Sequence, residues 1–294
     1  MKISEAGPAA SLQKYAVVTG AASGFGFETV KGLLAQGWHV LATFKSREET
    51  AVFADALVEA EAQRLSFALM DLTQTDQIEA VASQVLTTFP RLDVLINNAG
   101  FGTYGALEDL TMDQLRLQME VNFFGPVQLT RLLLPALAAS RGRVITVTSI
   151  MAQYSMPLVE AYSASKYALE GLFEGLYYEL KPRGVQVCTV QPGGYRTAFF
   201  QSLHWGERSQ HQDSPYYTWG QHFQDFMDTL AERSRAPHPR EVAQKILSLL
   251  QQQRMPRSVV VGKDAWLIAK LRKALPAPAF HFLIQRMNRR VFKF

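Results

Sequence analysis

From Tyr15 to Gln191 the chain alternates short apolar runs with longer helix-compatible stretches, one run to each stretch. Strands are expected at Tyr15–Thr19, Trp38–Phe44, Leu65–Met70, Leu92–Ile96, Val144–Thr148 and residues 185–191. Helices are expected over about 20–36, 47–62, 75–88, 111–118, 122–139 and 158–180. Each strand is apolar on both faces, so neither face can be left to water. Alternating elements of this kind predict an α/β fold, a doubly wound parallel sheet with helices on both faces. Such sheets bind ligands beyond the carboxyl ends of their strands.

A chain of 294 residues can bury one substantial core, and no Pro/Gly/Ser-rich linker divides it. A single domain over 14–262 is expected, with a loose leader at 1–13 and a C-terminal extension at 263–294. The one cysteine, Cys188, lies in an apolar run and reads as a buried strand residue of a reducing compartment. No run of 18 apolar residues occurs, and no signal-peptide pattern precedes the first strand, so a soluble cytoplasmic protein is expected.

The pI near 9.1 is a property of one end of the chain. Residues 270–294 carry seven basic side chains and no acidic one; removing that +7 from the formal +4 leaves −3 for the rest. A nucleic-acid-binding face is therefore not expected. Over Pro278–Phe292, a helix would align Phe280, Leu283, Ile284, Met287 and Val291 in one stripe and Arg286, Arg289, Arg290 and Lys293 in another. A basic amphipathic helix can lie on an anionic membrane, but such stripes usually face a core. Docking on the body or on a partner subunit is the reading taken.

Gly20-Ala21-Ala22-Ser23-Gly24-Phe25-Gly26 falls between the first strand and its helix. Glycines there permit a tight turn and close backbone approach, and a helix N-terminus offers free N–H groups to a pyrophosphate. Gly20, Ser23, Gly24, Phe25 and Gly26 are thus candidate dinucleotide contacts. Further on, Ser149 is followed after 13 residues by Tyr162 and after four more by Lys166. Positions i and i+4 share a helix face, so an ammonium can sit beside the phenol. Tyrosine titrates near pH ~10, and a neighbouring cation in a semi-buried cleft favours its phenolate. Taken alone, Ser149 reads equally as a strand-end cap and Asn122 reads as a helix N-cap.

Together these motifs resemble the short-chain dehydrogenase/reductase family, including its hydroxysteroid- and retinol-dehydrogenase-like members. The resemblance covers residues from about 15 to about 200. It implies a Rossmann-type sheet, a nicotinamide cofactor, and a homodimer or homotetramer. It places Asp71, with Leu72 beside it, at the adenine ring, and Asn98-Ala99-Gly100 in the turn after the fourth strand. Pro192, Gly193 and Thr197 would flank the nicotinamide. Asn122, Ser149, Tyr162 and Lys166 would be the catalytic set. Ser149 would hydrogen-bond a substrate carbonyl oxygen and Tyr162 would give it a proton. Lys166 would hold the ribose hydroxyls and lower the tyrosine pKa, and Asn122 would hold a water behind Lys166.

The second strand ends Phe44-Lys45-Ser46-Arg47, without the acid expected of an NAD-preferring site. Phe44, Lys45 and Arg47 therefore predict NADP(H). The segment 198–235 carries Phe199, Phe200, Trp205, Tyr216, Tyr217, Trp219, Phe223 and Phe226, which predicts a lid over an apolar, fairly bulky carbonyl or alcohol. His204 and His211 lack partners at metal-ligand spacing, so no metal is expected.

Overall fold

Ala16, Val17 and Val18 of β1 (Tyr15–Val18) are fully buried, as befits a central strand. In the computed structural model, which describes residues 13–197, 199, 203–232 and 236–293, β1 pairs in parallel on both sides. Val17 lies opposite Leu41 of β2 (His39–Phe44) and Leu95 of β4 (Val94–Asn97). Beyond β2 comes β3 (Leu65–Leu69); beyond β4 come β6 (Arg143–Val147), β7 (Gln186–Pro192) and β9 (Ser258–Val261). The order β3-β2-β1-β4-β6-β7-β9 makes a seven-stranded parallel sheet, the Rossmann-type arrangement expected. Its order reverses between β1 and β4, where a crevice opens beyond the strand ends. A separate pair, β5 (Thr103–Tyr104) and β8 (His204–Trp205), borders that crevice.

Helices cover both faces because both faces of the strands are apolar. On one face pack α1 (Gly24–Ala35) and α8 (Arg240–Gln251), through Val30, Leu33, Ile246 and Leu249. On the other pack α3 (Thr75–Thr88), α5 (Gly125–Ser140) and α6 (Glu160–Glu179), through Ile78, Leu133, Leu169 and Phe173. Each such side chain, fully buried, contributes about 1.5–3 kcal/mol.

Several elements depart from the sequence expectation. The helix expected over 47–62 is a 3-10 turn, Glu48–Phe53, followed by the single-turn α2 (Glu59–Ala62). Phe53 is the residue of those two segments that is buried, so no apolar stripe holds a longer helix down. The helices expected at 111–118 and 122–139 are one run instead. α4 (Met112–Met119) begins at a capping box between Thr111 and Gln114, then passes into α5 through a one-turn π-helix, Glu120–Phe124. Asn122 sits within that turn and is not an N-cap. Finally, α8 and β9 were not located from the sequence.

Residues 1–12 of the expected leader and Phe200 of the aromatic segment lie outside the described residues. The aromatic segment contributes α7 (Tyr217–Glu232). Two helices follow β9: α9 (Lys263–Ala274) and α10 (Ala277–Phe292). Of the expected apolar stripe of α10, Phe280 and Ile284 are buried and Met287 is exposed; Phe292, outside that stripe, is buried as well. Phe292 stacks on Phe223 of α7 at 5.7 Å between ring centroids, and the His222 ring nitrogen lies 2.9 Å from its carbonyl oxygen. Among the described residues, no helix is long and apolar enough to cross a membrane.

Candidate active site

One continuous cleft of about 620 Å³ runs across the carboxyl ends of β1, β2, β4, β6 and β7. Its first end is built by two turns locked together. Gly20 has φ +65°, and a Cβ there would stand 2.7 Å from the Ala99 Cα. A Cβ on Gly26 would strike the Gly20 carbonyl oxygen. Only glycine lets β1, the turn and α1 close so tightly. Asn98 completes the lock: its Nδ2 donates to the carbonyls of Thr19 and Gly20, both at 2.9 Å. The Thr19 hydroxyl in turn accepts the N–H groups of Asn98 and Ala99 at 3.0 Å. Gly20, Ser23, Gly24 and Phe25 line the cleft; Gly26 does not and serves the packing beneath it. Ser23 precedes α1 without capping it through its side chain, so the first-turn N–H groups remain available to an anion.

At the end of β2, Phe44 and Lys45 line the cleft, together with Asp71, Leu72 and Glu49. Arg47 is exposed and is not among the lining residues. Lys45 pairs with Asp71 at 3.3 Å. Burial works to raise the Asp71 carboxyl, but the Thr73 N–H and hydroxyl bonds, with Lys45, outweigh it and hold its pKa below the usual value. Glu49 accepts the Lys45 N–H at 2.9 Å. An acid therefore does reach this corner, four residues beyond Lys45. No residue pattern points to it, because Glu49 reads as an ordinary exposed helix residue.

Asn98, Ala99 and Gly100 lie next along the cleft, followed by Pro192, Gly193 and Thr197 on its far wall. The turn after β7 is held from α9: the Asp264 carboxylate accepts the Gly194 N–H at 2.8 Å.

Between these walls the structure brings Ser149, Tyr162 and Lys166 together on the cleft lining. Tyr162 and Lys166 share the inward face of α6 at 8% and 4% exposure. The Lys166 Nζ donates to the Val147 carbonyl at 3.1 Å and stands 5.7 Å from the Tyr162 ring centroid. One acceptor for three N–H donors, at a fully buried ammonium, fits a site built to take further oxygen acceptors such as ribose hydroxyls. The Ser149 Oγ caps the turn that follows it, accepting the Met151 N–H at 3.1 Å, and still faces the cleft. Asn122 is fully buried behind the floor. Its Oδ1 accepts the Phe101 N–H at 3.0 Å, and its Nδ2 donates to the Phe101 carbonyl at 2.9 Å and the Ser165 hydroxyl at 3.0 Å. It thus fixes Phe101, next to Gly100, against the residue preceding Lys166.

The electrostatics differ from the sequence expectation. Burial pushes Tyr162 up to about 12, against an opposing hydrogen bond from Ser149. Burial also brings Lys166 down to about 8. Desolvation is the larger effect on Tyr162, and the lowering it meets comes from the Ser149 hydrogen bond. At pH 7 the phenol is held protonated, and the lysine is mostly an ammonium.

The second half of the cleft is apolar. Phe199, Phe223 and Phe226 line it, as do Met151 and Met156. Trp205, Tyr216 and Trp219 instead pack behind them, so the aromatic segment is part wall and part support. His204 reaches the cleft beside Phe101, whereas His211 is exposed. Sequence reasoning missed Tyr104, which stacks over Tyr162 at 6.2 Å, and the contribution of α10: Ile284, Met287, Asn288 and Val291 all line this half. The spacing of that stripe was visible in the sequence; its destination was not.

The fold and this cleft define a dinucleotide-dependent oxidoreductase. The short chain dehydrogenase family model matches residues 14–207, and the chain belongs to the short-chain dehydrogenase/reductase family of NAD(P)-dependent oxidoreductases. It is 33% identical over 267 residues to the 3-ketodihydrosphingosine reductase of Bacteroides thetaiotaomicron, covering 88% of this chain and 92% of the relative. A short-chain dehydrogenase from Streptomyces avermitilis superposes with a TM-score of 0.74 at 32% identity, over 89% of this chain and 96% of that one. A short chain dehydrogenase from Burkholderia cenocepacia, solved in complex with NADP, gives 0.70 at 28% identity, over 92% and 97%.

Proposed function

We propose that this chain is an NADP(H)-dependent reductase of a ketone carried on a bulky, apolar, lipid-like molecule. The observation that carries the reading is the single cleft in which a buried, protonated phenol adjoins both a dinucleotide-sized groove and an apolar chamber. The bound cofactor would supply hydride to the carbonyl carbon. Ser149 would donate a hydrogen bond to the carbonyl oxygen, and Tyr162 would deliver the proton that the developing alkoxide requires. A phenol that keeps its proton at neutral pH has that proton to give. Lys166 would hold ribose hydroxyls with its remaining donors, and Asn122 would position Lys166 through Ser165 and Phe101. Exclusion of water by Phe199, Phe223 and the α10 stripe would strengthen each of these contacts. A relative named for reducing 3-ketodihydrosphingosine supports the lipid-like ketone. The cytoplasm is the setting that buried, unpaired Cys188 fits, with a homodimer or homotetramer as the assembly.

The proposed pH response follows from Lys166. Its folded-state value is depressed, so its ammonium is lost as pH rises through about 8. Cofactor affinity and kcat/KM should fall above that pH, and the step should vanish in Lys166→Met. A flat profile to pH 9.5 in the wild type, roughly a unit and a half beyond that value, would remove the lysine from the site. The linkage to folding runs the other way. Between about 8 and ~10.4 the unfolded chain binds more protons, so this group's contribution to stability rises with pH over that window.

Cofactor choice rests on Lys45 as the base facing the β2 corner, and the NADP complex of the Burkholderia cenocepacia relative supports it. Titrating NADPH and NADH by fluorescence tests it. Lys45→Ala should weaken NADPH by about 10- to 150-fold and leave NADH little changed. Glu49→Gln should tighten NADPH, because a 2′-phosphate and that carboxylate would share one corner. Equal wild-type affinity for the two cofactors would overturn the preference.

A further inference from the structure

The outward faces of α9 and α10 share an unusual composition. On α10, Phe282 is 66% exposed, and exposed Arg286 and Arg289 follow it at i+4 and i+7, a stripe directed away from buried Phe280 and Ile284; exposed Lys293 follows at the helix C-cap. On α9, Trp266 and Leu267 are each 52% exposed, and Lys263, Lys270 and Lys273 lie on the same outward face, opposite buried Ala265, Ile268 and Ala269. The Lys270 ammonium stands 4.0 Å from the Trp266 ring centroid. Residues 263–293 hold eight basic side chains and one acid, Asp264, whose carboxylate is engaged by the Gly194 N–H of the body. Large apolar side chains standing in water among cations, with the acids removed, are the composition that anionic lipid headgroups complement. Tryptophan and lysine together suit the boundary between headgroups and acyl chains.

We propose that these outward faces of α9 and α10 dock the protein on an anionic bilayer surface, without crossing it. The docked stripe on α10 and the outward one are different faces of one helix, so packing on the body and binding a surface do not compete. Ile284, Met287, Asn288 and Val291 place the cleft wall on that same helix, so a lipid-dissolved ketone would meet the cleft close to the surface that holds it.

The full chain is tested by co-sedimentation with phosphatidylcholine vesicles, with and without phosphatidylglycerol. Binding should require phosphatidylglycerol and be reversed by high salt. The variant R286Q/R289Q/K293Q should lose roughly a hundredfold in affinity, at about fivefold for each cation. The variant W266A/L267A/F282A should also bind more weakly. All six positions are exposed and outside the cleft lining, so melting temperature and NADPH binding should match the wild type in both. Failure to sediment with either vesicle, equal binding to both, or vesicle binding unchanged in both variants would overturn the proposal. Self-association in sedimentation velocity that the same substitutions abolish, without vesicle binding, would assign the surface to a second copy of the chain instead. These readouts need no substrate, so they stand or fall separately from the proposed ketone reduction.

Discussion

Tyr162→Phe should lower kcat for ketone reduction by roughly 10²- to 10⁴-fold while leaving NADPH affinity within about twofold of the wild type. The substitution removes one hydroxyl from a ring that is 8% exposed and keeps the ring packed under Tyr104 and Phe199. No cavity forms, and the fold should be unaffected. Burial keeps the phenol protonated at neutral pH, so the substitution removes the proton the step would use. Steady-state kinetics on a good ketone, with cofactor titration and a thermal melt on the same sample, separate the chemical role from a structural one. A variant retaining more than about a tenth of the wild-type kcat would end the assignment of Tyr162 as proton donor.

Phe292→Ala should destabilise the protein by about 3–5 kcal/mol, the usual cost of emptying a buried aromatic site. Phe292 is fully buried, stacks on Phe223 and adjoins Trp219 at 5.9 Å. Phe223 and its neighbours on α7 line the apolar chamber, so the same change should raise KM for a bulky ketone more than for a small one. Truncation before Pro278 should go further and lower the melting temperature or cause aggregation, because Phe280 and Ile284 leave with it. An unchanged melting temperature and elution volume in the truncated chain would show that α10 is dispensable to the body.

Much of the sheet was legible because parallel strands buried on both faces must be continuous apolar runs, and six of them stood out before residue 192. The seventh, β9, was missed because its apolar part is three residues, Val259–Val261, after a mostly polar stretch. Gly20, Tyr162 and Lys166 could be placed in advance because their spacing is local: a tight turn and a helical i, i+4 pair. Glu49, Tyr104 and Asn288 could not be placed, because each reaches the cleft from an element whose position is set by packing elsewhere. The direction of the Tyr162 shift was misjudged for a related reason. Spacing reveals the neighbouring cation but not the depth of burial, and burial is the larger effect here.

The π-turn at Glu120–Phe124 sets the rotational phase of everything that hangs on α4. A regular helix turns by about 100° per residue, so deleting one residue from that turn would rotate α4 by about that angle relative to α5. Gln118 would then swing away from the Thr103 N–H that it accepts at 2.6 Å and from the Phe101 carbonyl to which it donates at 3.1 Å. Asn122 would lose its hold on Phe101, just ahead of that short strand, and with it the floor beneath Tyr104. The added residue works as an angular spacer, and a variant lacking it should keep the seven-stranded sheet while disordering the cleft.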